Sequence, residues 1–417
     1  MENNLKLNFE DYLNEKNLTN SQKEIKESNF DNFIKNGFPN KRIEDWKFSD
    51  LKQIISTNFD NINFLNREIA SSIDESLIDD LEHNKIVFIN GVISKIDFSY
   101  ENEDKIIVEQ NSNLEKELSD NVMLNLNTAF VSNYTKILVK SGYQFQKPLF
   151  LFNYLTKDLN NAGLNSRLDI NLEDDVALNV VNLSNENLNN NFLNYRQKIN
   201  IGKNSILKNY SLDTNENSNF RYSYKDIYLE KNSHLEYFIL SKGSKFSKHD
   251  INCFLNNEYG SIVLNGIIDL DNEKHHEIKT EINHNEENCK SYQLIKSVLN
   301  DSSKGIYQGK IYVNSKAQKT DGYQLSRALL LSDQVEFNAK PELEIYADDV
   351  KCSHGSTSGN IDENSIFYLM SRGLSYDQSK KLLTNGFLNE VIEKITNENI
   401  KSLVKKLTGI NEWILIK

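Results

Sequence analysis

Ser205, Ser233, Ser261 and Cys289 follow one another at a constant interval, and this spacing constrains the fold more than any other feature. Each sits in a related stretch: GKNSILKNYSLD, EKNSHLEYFILS and EYGSIVLNGIIDL around the serines, with EDDVALNVVNLS as an earlier version of the unit. Short alternating strands accompany them, KINI, DIYL and NCFL upstream and KIYV after the fourth. A unit that reads strand, turn, strand, with no helix between, cannot bury its own apolar face and has to stack on the next copy. The spacing therefore predicts a solenoid of β-strands. A β-sandwich with coincidental spacing is the alternative. A solenoid leaves a strand edge at each end that must be capped or paired.

The flanks differ in pattern, and three regions follow: 1–84 helical, 85–360 a β-helix core and 361–417 helical. In FEDYLNEKN and SNFDNFIKNGF, apolar residues recur at spacings of three and four. Pro39 is expected to stop the second of these helices and Ser49 to cap the next, SDLKQII. Trp46 and Phe48, large apolar groups among charges, are expected to pin this segment onto a neighbouring region. KIVFINGVIS opens the core with a strand and an Asn90-Gly91 turn. Past Asn360, Asp362 and Ser375 are expected caps for two helices and Gly373 an expected stop. Ile366, Leu369 and Met370 would line one face of the first helix. Leu382, Leu383, Phe387, Val391 and Ile395 would line the second, and the chain closes on the apolar NEWILIK.

Sixty acidic against 48 basic residues give a formal charge of −12, which argues against a general phosphate-binding surface and against nucleic acid as a partner. Three dispersed cysteines, Cys253, Cys289 and Cys352, fit a reducing cytoplasm better than a secreted disulfide scaffold. The polar, acidic MENNLKLNFEDYLNEKN does not read as a signal peptide. No apolar run approaches the roughly 18 residues a membrane helix needs. GxGxxG, HExxH and GxSxG are absent, and GIYQGKIY lacks the spacing and hydroxyl of a phosphate loop.

Two constellations carry candidate chemistry. His275, His276 and His284 lie among Glu277, Glu281 and Glu286; they read as solvated residues outside the solenoid, with metal binding as the other reading. His276 and Glu281, an odd number apart, would face opposite sides of a strand. In DDVKCSHGSTSGN, Cys352 and His354 are two apart and would share one face of a strand. Thiolate and imidazole suit iron or zinc, but a closed site takes about four ligands. Packing, metal ligation and a Cys–His nucleophile all remain open from the spacing.

Residues 331–383 resemble the signature region of the SufB/SufD family through PELEI, DDVKCSHG and FYLMSRG, in order and spacing. PNKRIEDWKFSDL resembles the opening of the SufD branch, and KIVFINGVIS, LNLNTAFVS and KPLFLFN resemble the family more loosely. The SHG string is SufD-like, where SufB chains typically carry Glu-His-Glu-Ala. Ser356 and Met370 depart from the common residues, and neither alters the Cys or the His. The resemblance implies a right-handed parallel β-helix between helical regions. It implies a subunit of the SufBCD complex, which assembles iron-sulfur clusters, paired with SufB through the β-helix edge. The ATPase SufC would dock on the C-terminal helices. Two copies of this chain could pair when SufB is absent.

By the same resemblance His354 is a functional interface residue near a partner cysteine, and Cys352 is either a thiol tuning that site or a small buried residue. Iron or a nascent cluster would pass through the interface transiently, with no cofactor held stably by this chain. No motif identifies a flavin site. Phe367, Tyr368, Arg372 and Phe387 are the candidates for the SufC contact. The aromatics could instead pack within the helical region, and Arg372 could cap a helix. A purely structural scaffold without metal handling is the rival reading. A β-helix polysaccharide lyase is another, weakened because adjacent Asp348 and Asp349 would point to opposite faces of a strand.

Overall fold

In the computed structural model the spacing becomes a parallel β-solenoid. The structure describes residues 2–15, 18–64, 81–110, 118–132, 134–156, 161–185, 190–214 and 216–410, together with 78, 114 and 159. NEWILIK lies outside the described residues. The chain begins with α1 (Glu2–Glu15), α2 (Asn20–Asn36), α3 (Leu51–Asn58) and the short strand β1 (Asn63–Phe64). Next come β2 (Asn84–Ile89), β3 (Val92–Asp97), β4 (Ile106–Glu109), α4 (Val122–Phe130), β5 (Tyr134–Val139) and β6 (Leu149–Tyr154).

The regular coils use β7 (Ala162–Leu172), β8 (Ala177–Asn185), β9 (Phe192–Ile201), β10 (Ile206–Asp213), β11 (Phe220–Leu229), β12 (His234–Ser241) and β13 (Phe246–Leu255). They continue through β14 (Ser261–Leu270), β15 (His275–His284), β16 (Lys290–Leu299), β17 (Lys304–Val313), β18 (Asp321–Leu330), β19 (Glu336–Ile345) and β20 (Lys351–Asn360). The helices α5 (Glu363–Ser371), α6 (Tyr376–Ile392) and α7 (Glu398–Thr408) follow.

Odd-numbered strands from β5 to β19 stack into one sheet and even-numbered strands from β6 to β20 into the other. At the start of the stack the pairing turns antiparallel, β4 with β5 and β3 with β2. The Asn90-Gly91 turn joins β2 to β3 with both residues at positive φ, as a tight hairpin requires. Between the sheets, inward-facing Ile199, Ile227, Ile251 and Ile282 are fully buried and stack with Leu229, Leu255 and Leu270.

The coils are not all of one length. Phe220 stands beside Phe246 across a short coil, and Lys304 beside Glu336 across a longer one. In the other sheet Ser205 precedes Ile206 and Ser233 precedes His234, which are partners, but His234 pairs with Ser261. The residue equivalent to Ser233 in the next coil is therefore Gly260, whose carbonyl accepts from Lys290 as Ser233's accepts from Ser261. A Cβ on Gly260 would lie 2.7 Å from the Leu255 side chain, so a serine there would have to displace that leucine. The recurring small residue closes the corner of the coil. Ser205 Oγ donates to Glu173 O at 2.7 Å, Ser233 Oγ to Glu230 O at 2.6 Å and Cys289 Sγ to Asn257 O at 3.2 Å.

The residue before it takes positive φ in every one of these coils: Asp175, Asn204, Asn232, Tyr259, Asn288 and Lys319. Asn and Asp tolerate that conformation; in Tyr and Lys it is strained. Asn232 Nδ2 donates to Asn204 Oδ1 at 3.1 Å, and Asn204 Nδ2 to Asp175 Oδ1 at 2.9 Å, an amide ladder that Tyr259 interrupts. Tyr259→Asn is expected to raise stability by about 0.5–1 kcal/mol, read as a higher urea midpoint. An unchanged or lower midpoint would show that the ring's contact with Lys231 outweighs the backbone strain.

The two outer faces of the solenoid are covered by different helices. α2, α3 and α4 pack on the odd-strand sheet, where Phe33, Phe130, Phe192 and Phe220 are buried together. α6, α7 and the turn between them pack on the even-strand sheet through Leu388, Val391, Ile392, Ile395 and Val404. Lys296 donates to Phe387 O and Glu390 at 2.6 Å, and Thr396 receives Lys208 and donates its backbone N–H to Glu236. Asp362 and Ser375 cap α5 and α6 as expected, and Gly373 ends α5 at φ 96°. Ile366 is buried, whereas Met370 turns outward.

Two N-terminal expectations change. α2 ends at Asn36 on Gly37, two residues before Pro39. Asp50, not Ser49, caps α3, its carboxylate accepting from Gln53 N at 3.0 Å. Ser49 is fully buried, and its hydroxyl meets His275 Nε2 at 2.9 Å and the Glu277 carboxylate. Trp46 does pin the segment: it is buried against Tyr222 at 5.1 Å, with the Lys248 ammonium 5.0 Å from its ring, and Phe48 is half-buried. No helix among the described residues is long and apolar enough to cross a membrane.

Candidate functional site

The solenoid has no strand beyond β19 in one sheet and none beyond β20 in the other among the described residues. Side chains that point inward in earlier coils are here left half-covered. Phe337, Ala339, Pro341, Leu343 and Ile345 of β19 stand in register with inward Gly305, Tyr307, Gly309, Ile311 and Val313 of β17. The outward positions of the same strand are charged, with Lys304–Glu336 at 3.0 Å and Lys310–Glu344 at 2.7 Å. An edge strand with an apolar row on its inner side and free backbone groups is a template for another chain.

Cys352 and His354 lie on the facing edge, β20. They are in register with Gly322 and Gln324, so both occupy the inward row, as the two-residue spacing predicts. Cys352 is half-buried beside Leu343 and Val350 at the bottom of the last coil. Gly322 is its neighbour in the coil before: a Cβ there would touch Cys352 Sγ at 3.4 Å. Burial pushes the Cys352 thiol up, and nearby Asp321 adds to this. The thiol is thus held protonated, which disfavours a resident nucleophile.

His354 is exposed. Below it, the fully buried Gln324 of β18 donates to the carbonyls of Gly309 on β17 and Glu342 on β19, both at 3.2 Å, and ties one sheet to the other. Among the described residues no three His, Cys, Asp or Glu side chains converge as a metal site. Cys352 and His354 are two donors on one face, and further ligands would come from outside this end. Asp348 and Asp349 occupy the bend between β19 and β20, not a strand.

The histidine-glutamate cluster is corrected. His276, Glu277 and His284 are fully buried, not solvated. β15 is covered on both faces, by the core inside and by the Trp46 segment outside. His276 faces inward between Ser241 Oγ at 2.8 Å and Ser244 O at 2.6 Å, and His284 meets Ser291 Oγ at 2.8 Å. His275 faces outward to Ser49. Burial pushes His276 and His284 down to about 4 and His275 to about 3, so the three are neutral, separately bonded residues.

The C-terminal candidates divide. Phe367 and Tyr368 are 74% and 57% exposed on α5, and Arg372 stacks on Tyr368 at 5.3 Å, so these aromatics do not pack inside the helical region. Phe387 does: it is half-buried against the even-strand sheet with the Lys296 ammonium 4.2 Å from its ring. A cleft of about 560 Å³ between α5 and α6, lined by Tyr368, Leu369, Leu382 and Leu383, lies beside the exposed pair.

Residues 154–387, more than half of the chain's length, match the family described as SUF system FeS cluster assembly, SufBD core domain. The chain belongs to the SufBD family. Among its relatives, the iron-sulfur cluster assembly protein SufD of Escherichia coli is 27% identical over 383 residues, covering 90% of each chain. A SufBD family protein of Synechocystis is 24% identical over 392 residues, 88% of this chain and 86% of its own. SufD of Bacillus subtilis is 29% identical over 174 residues, 42% of this chain and 39% of its own. The family's core match takes in both open edge strands and most of α6. The apolar row of β19 went unremarked in the sequence, although EFNAKPELEI shows it as strict alternation.

Proposed function

We propose that this chain serves iron-sulfur cluster assembly as a scaffold subunit without ATP chemistry of its own. It pairs edge to edge with a SufB-like chain through β19 and β20. The observation that carries this reading is the uncapped end of the solenoid, with its apolar row beside Cys352 and His354. Pairing would complete the last coil and bring donors from the second chain to the inward face. Iron and sulfide are then cargo, met by His354 and, once deprotonated, by Cys352. Phe367 and Tyr368 on α5, with Arg372 stacked on the tyrosine, are suited to dock the ATPase SufC; Phe387 supports their platform. The working compartment under this reading is the cytoplasm, whose reducing conditions keep the thiol free.

Co-purification from the host under native conditions tests the assembly: a SufB-like chain and a Walker-motif ATPase should be recovered, and recovery of this chain alone would overturn it. His354→Ala is expected to lower cluster yield roughly tenfold while the complex still purifies intact. A purely structural role draws support from the firmly protonated Cys352 thiol and the two-donor count. It predicts instead that the double variant Cys352→Ser, His354→Ala assembles clusters at the parental rate.

A further inference from the structure

Strands of a solenoid this apolar would be expected to enclose only aliphatic side chains, but part of the interior is polar. Between the sheets, spanning β6 to β13, lies a cavity of about 70 Å³, room for about five waters. Its inner wall carries Lys225 and Arg221 of β11, His249 of β13 and Gln197 of β9, with Ser211 and Ser223 also lining it. All four long side chains are at most 6% exposed.

The charges in this compartment do not balance. Arg221 has a carboxylate, Asp213, at 3.6 Å, and Asp213 also accepts from Ser244 at 3.2 Å. Lys225 has no carboxylate partner among the described residues. Its Nζ donates to Gln197 Oε1 at 2.8 Å and lies 5.7 Å from the ring of Tyr237. That commits the amide oxygen of Gln197 to the lysine and leaves Gln197 Nε2 buried without an acceptor. His249 Nε2 bonds to Ser247 Oγ at 3.0 Å, and its Nδ1, like the amide nitrogen, has no partner among the described residues. The compartment thus holds one uncompensated cation, an orphan donor and two serine hydroxyls, which can donate. Burial, with Arg221 adding to it, pushes the Lys225 amine down to about 7.

A buried ammonium without a counter-charge costs several kcal/mol unless it loses its proton or gains an anion. We propose that this compartment is a binding site for a small inorganic oxyanion, held by the Lys225 ammonium and the Arg221 guanidinium inside the solenoid. Gln197 Nε2 and the hydroxyls of Ser211 and Ser223 supply the neutral donors. The site is independent of the open end: it lies among the early coils, and neither Cys352 nor His354 lines it.

Sulfate and selenate are suitable probes, the second because it can be located by anomalous scattering. Calorimetric titration of the full chain with sulfate, at ionic strength fixed with chloride, should show one saturable site. Lys225→Met should weaken it by about tenfold or more, and Lys231→Met, which alters an exposed lysine, should not. Crystals of the unaltered protein soaked in selenate should show one anomalous peak between Lys225 and Arg221, a result that does not depend on any variant folding. Water alone in the compartment, selenate only on the outer surface, or equal affinity in Lys225→Met would each overturn the proposal.

Discussion

Lys248→Met is expected to cost about 3–5 kcal/mol of stability at neutral pH, the largest effect of a single substitution away from the aliphatic core. Lys248 is fully buried beneath Trp46, bonded to the Glu277 carboxylate and 3.1 Å from Asp250. Burial alone would push its ammonium down, but Asp250 and Glu277 together hold it above its usual value. Those carboxylates have further donors: Gln308 and Ser49 on Glu277, and Tyr222 at 2.8 Å on Asp250. Methionine keeps the volume under the indole but leaves two buried carboxylates facing each other with no cation between them, Lys279 being the nearest charge left to offset Asp250.

The pH dependence gives the test a sign. Burial already pushes Asp250 up, and removing Lys248 removes the main influence that lowers it. In the variant the native state therefore binds more protons than the unfolded chain at mildly acidic pH, and its stability rises as pH falls. The gap between variant and parent in urea unfolding should be smaller at about pH 5.5 than at about pH 7.5. A pH-independent gap would mean that lost packing under Trp46, not uncompensated charge, sets the cost.

Leu343→Asp is the second large effect. Leu343 stands half-buried in the inner row of β19, one coil above the fully buried Ile311. In the free chain a carboxylate there can still reach water, so folding should survive. In the proposed pair it would be buried without a partner, at about 3–5 kcal/mol, which is a hundredfold or more in Kd. The measurement is capture of the SufB-like chain on immobilised protein, with the variant's strand signal by circular dichroism as the control. Capture at parental strength by a folded variant would place the pairing surface elsewhere.

How much of this could be seen in the chain alone depends on where each signal is written. Ser205, Ser233 and Cys289 do mark equivalent corners, because in these three a small side chain bonds a turn carbonyl. Ser261 matched the count only by standing next to the true equivalent, Gly260, and Cys289 kept it because a shorter coil is followed by a longer one. The helix caps Asp362 and Ser375 were legible since capping is local. Ser49 was not: it looked like a cap, and only the docking of its segment onto β15 turns it inward. Glu277 looked solvated for the same reason, because covering a strand on its second face is a tertiary event with no local pattern; His276 looked solvated although it faces the interior, where serines bond it. The shared face of Cys352 and His354 followed from strand alternation; their standing at an uncovered edge did not.

The return path of the C-terminal helices has a mechanical consequence. α6 and α7 leave the last coil and run back over β16, β12 and β10, held by Lys296, Glu236 and Lys208. A force applied at α5 reaches β20 through residues 361–362, but part of it is carried by α6 and α7 into the body of the solenoid. That part is loaded in shear across several coils whose bonds must yield together. A pull on the exposed helix is thus borne by the body of the solenoid as well as by its open edge.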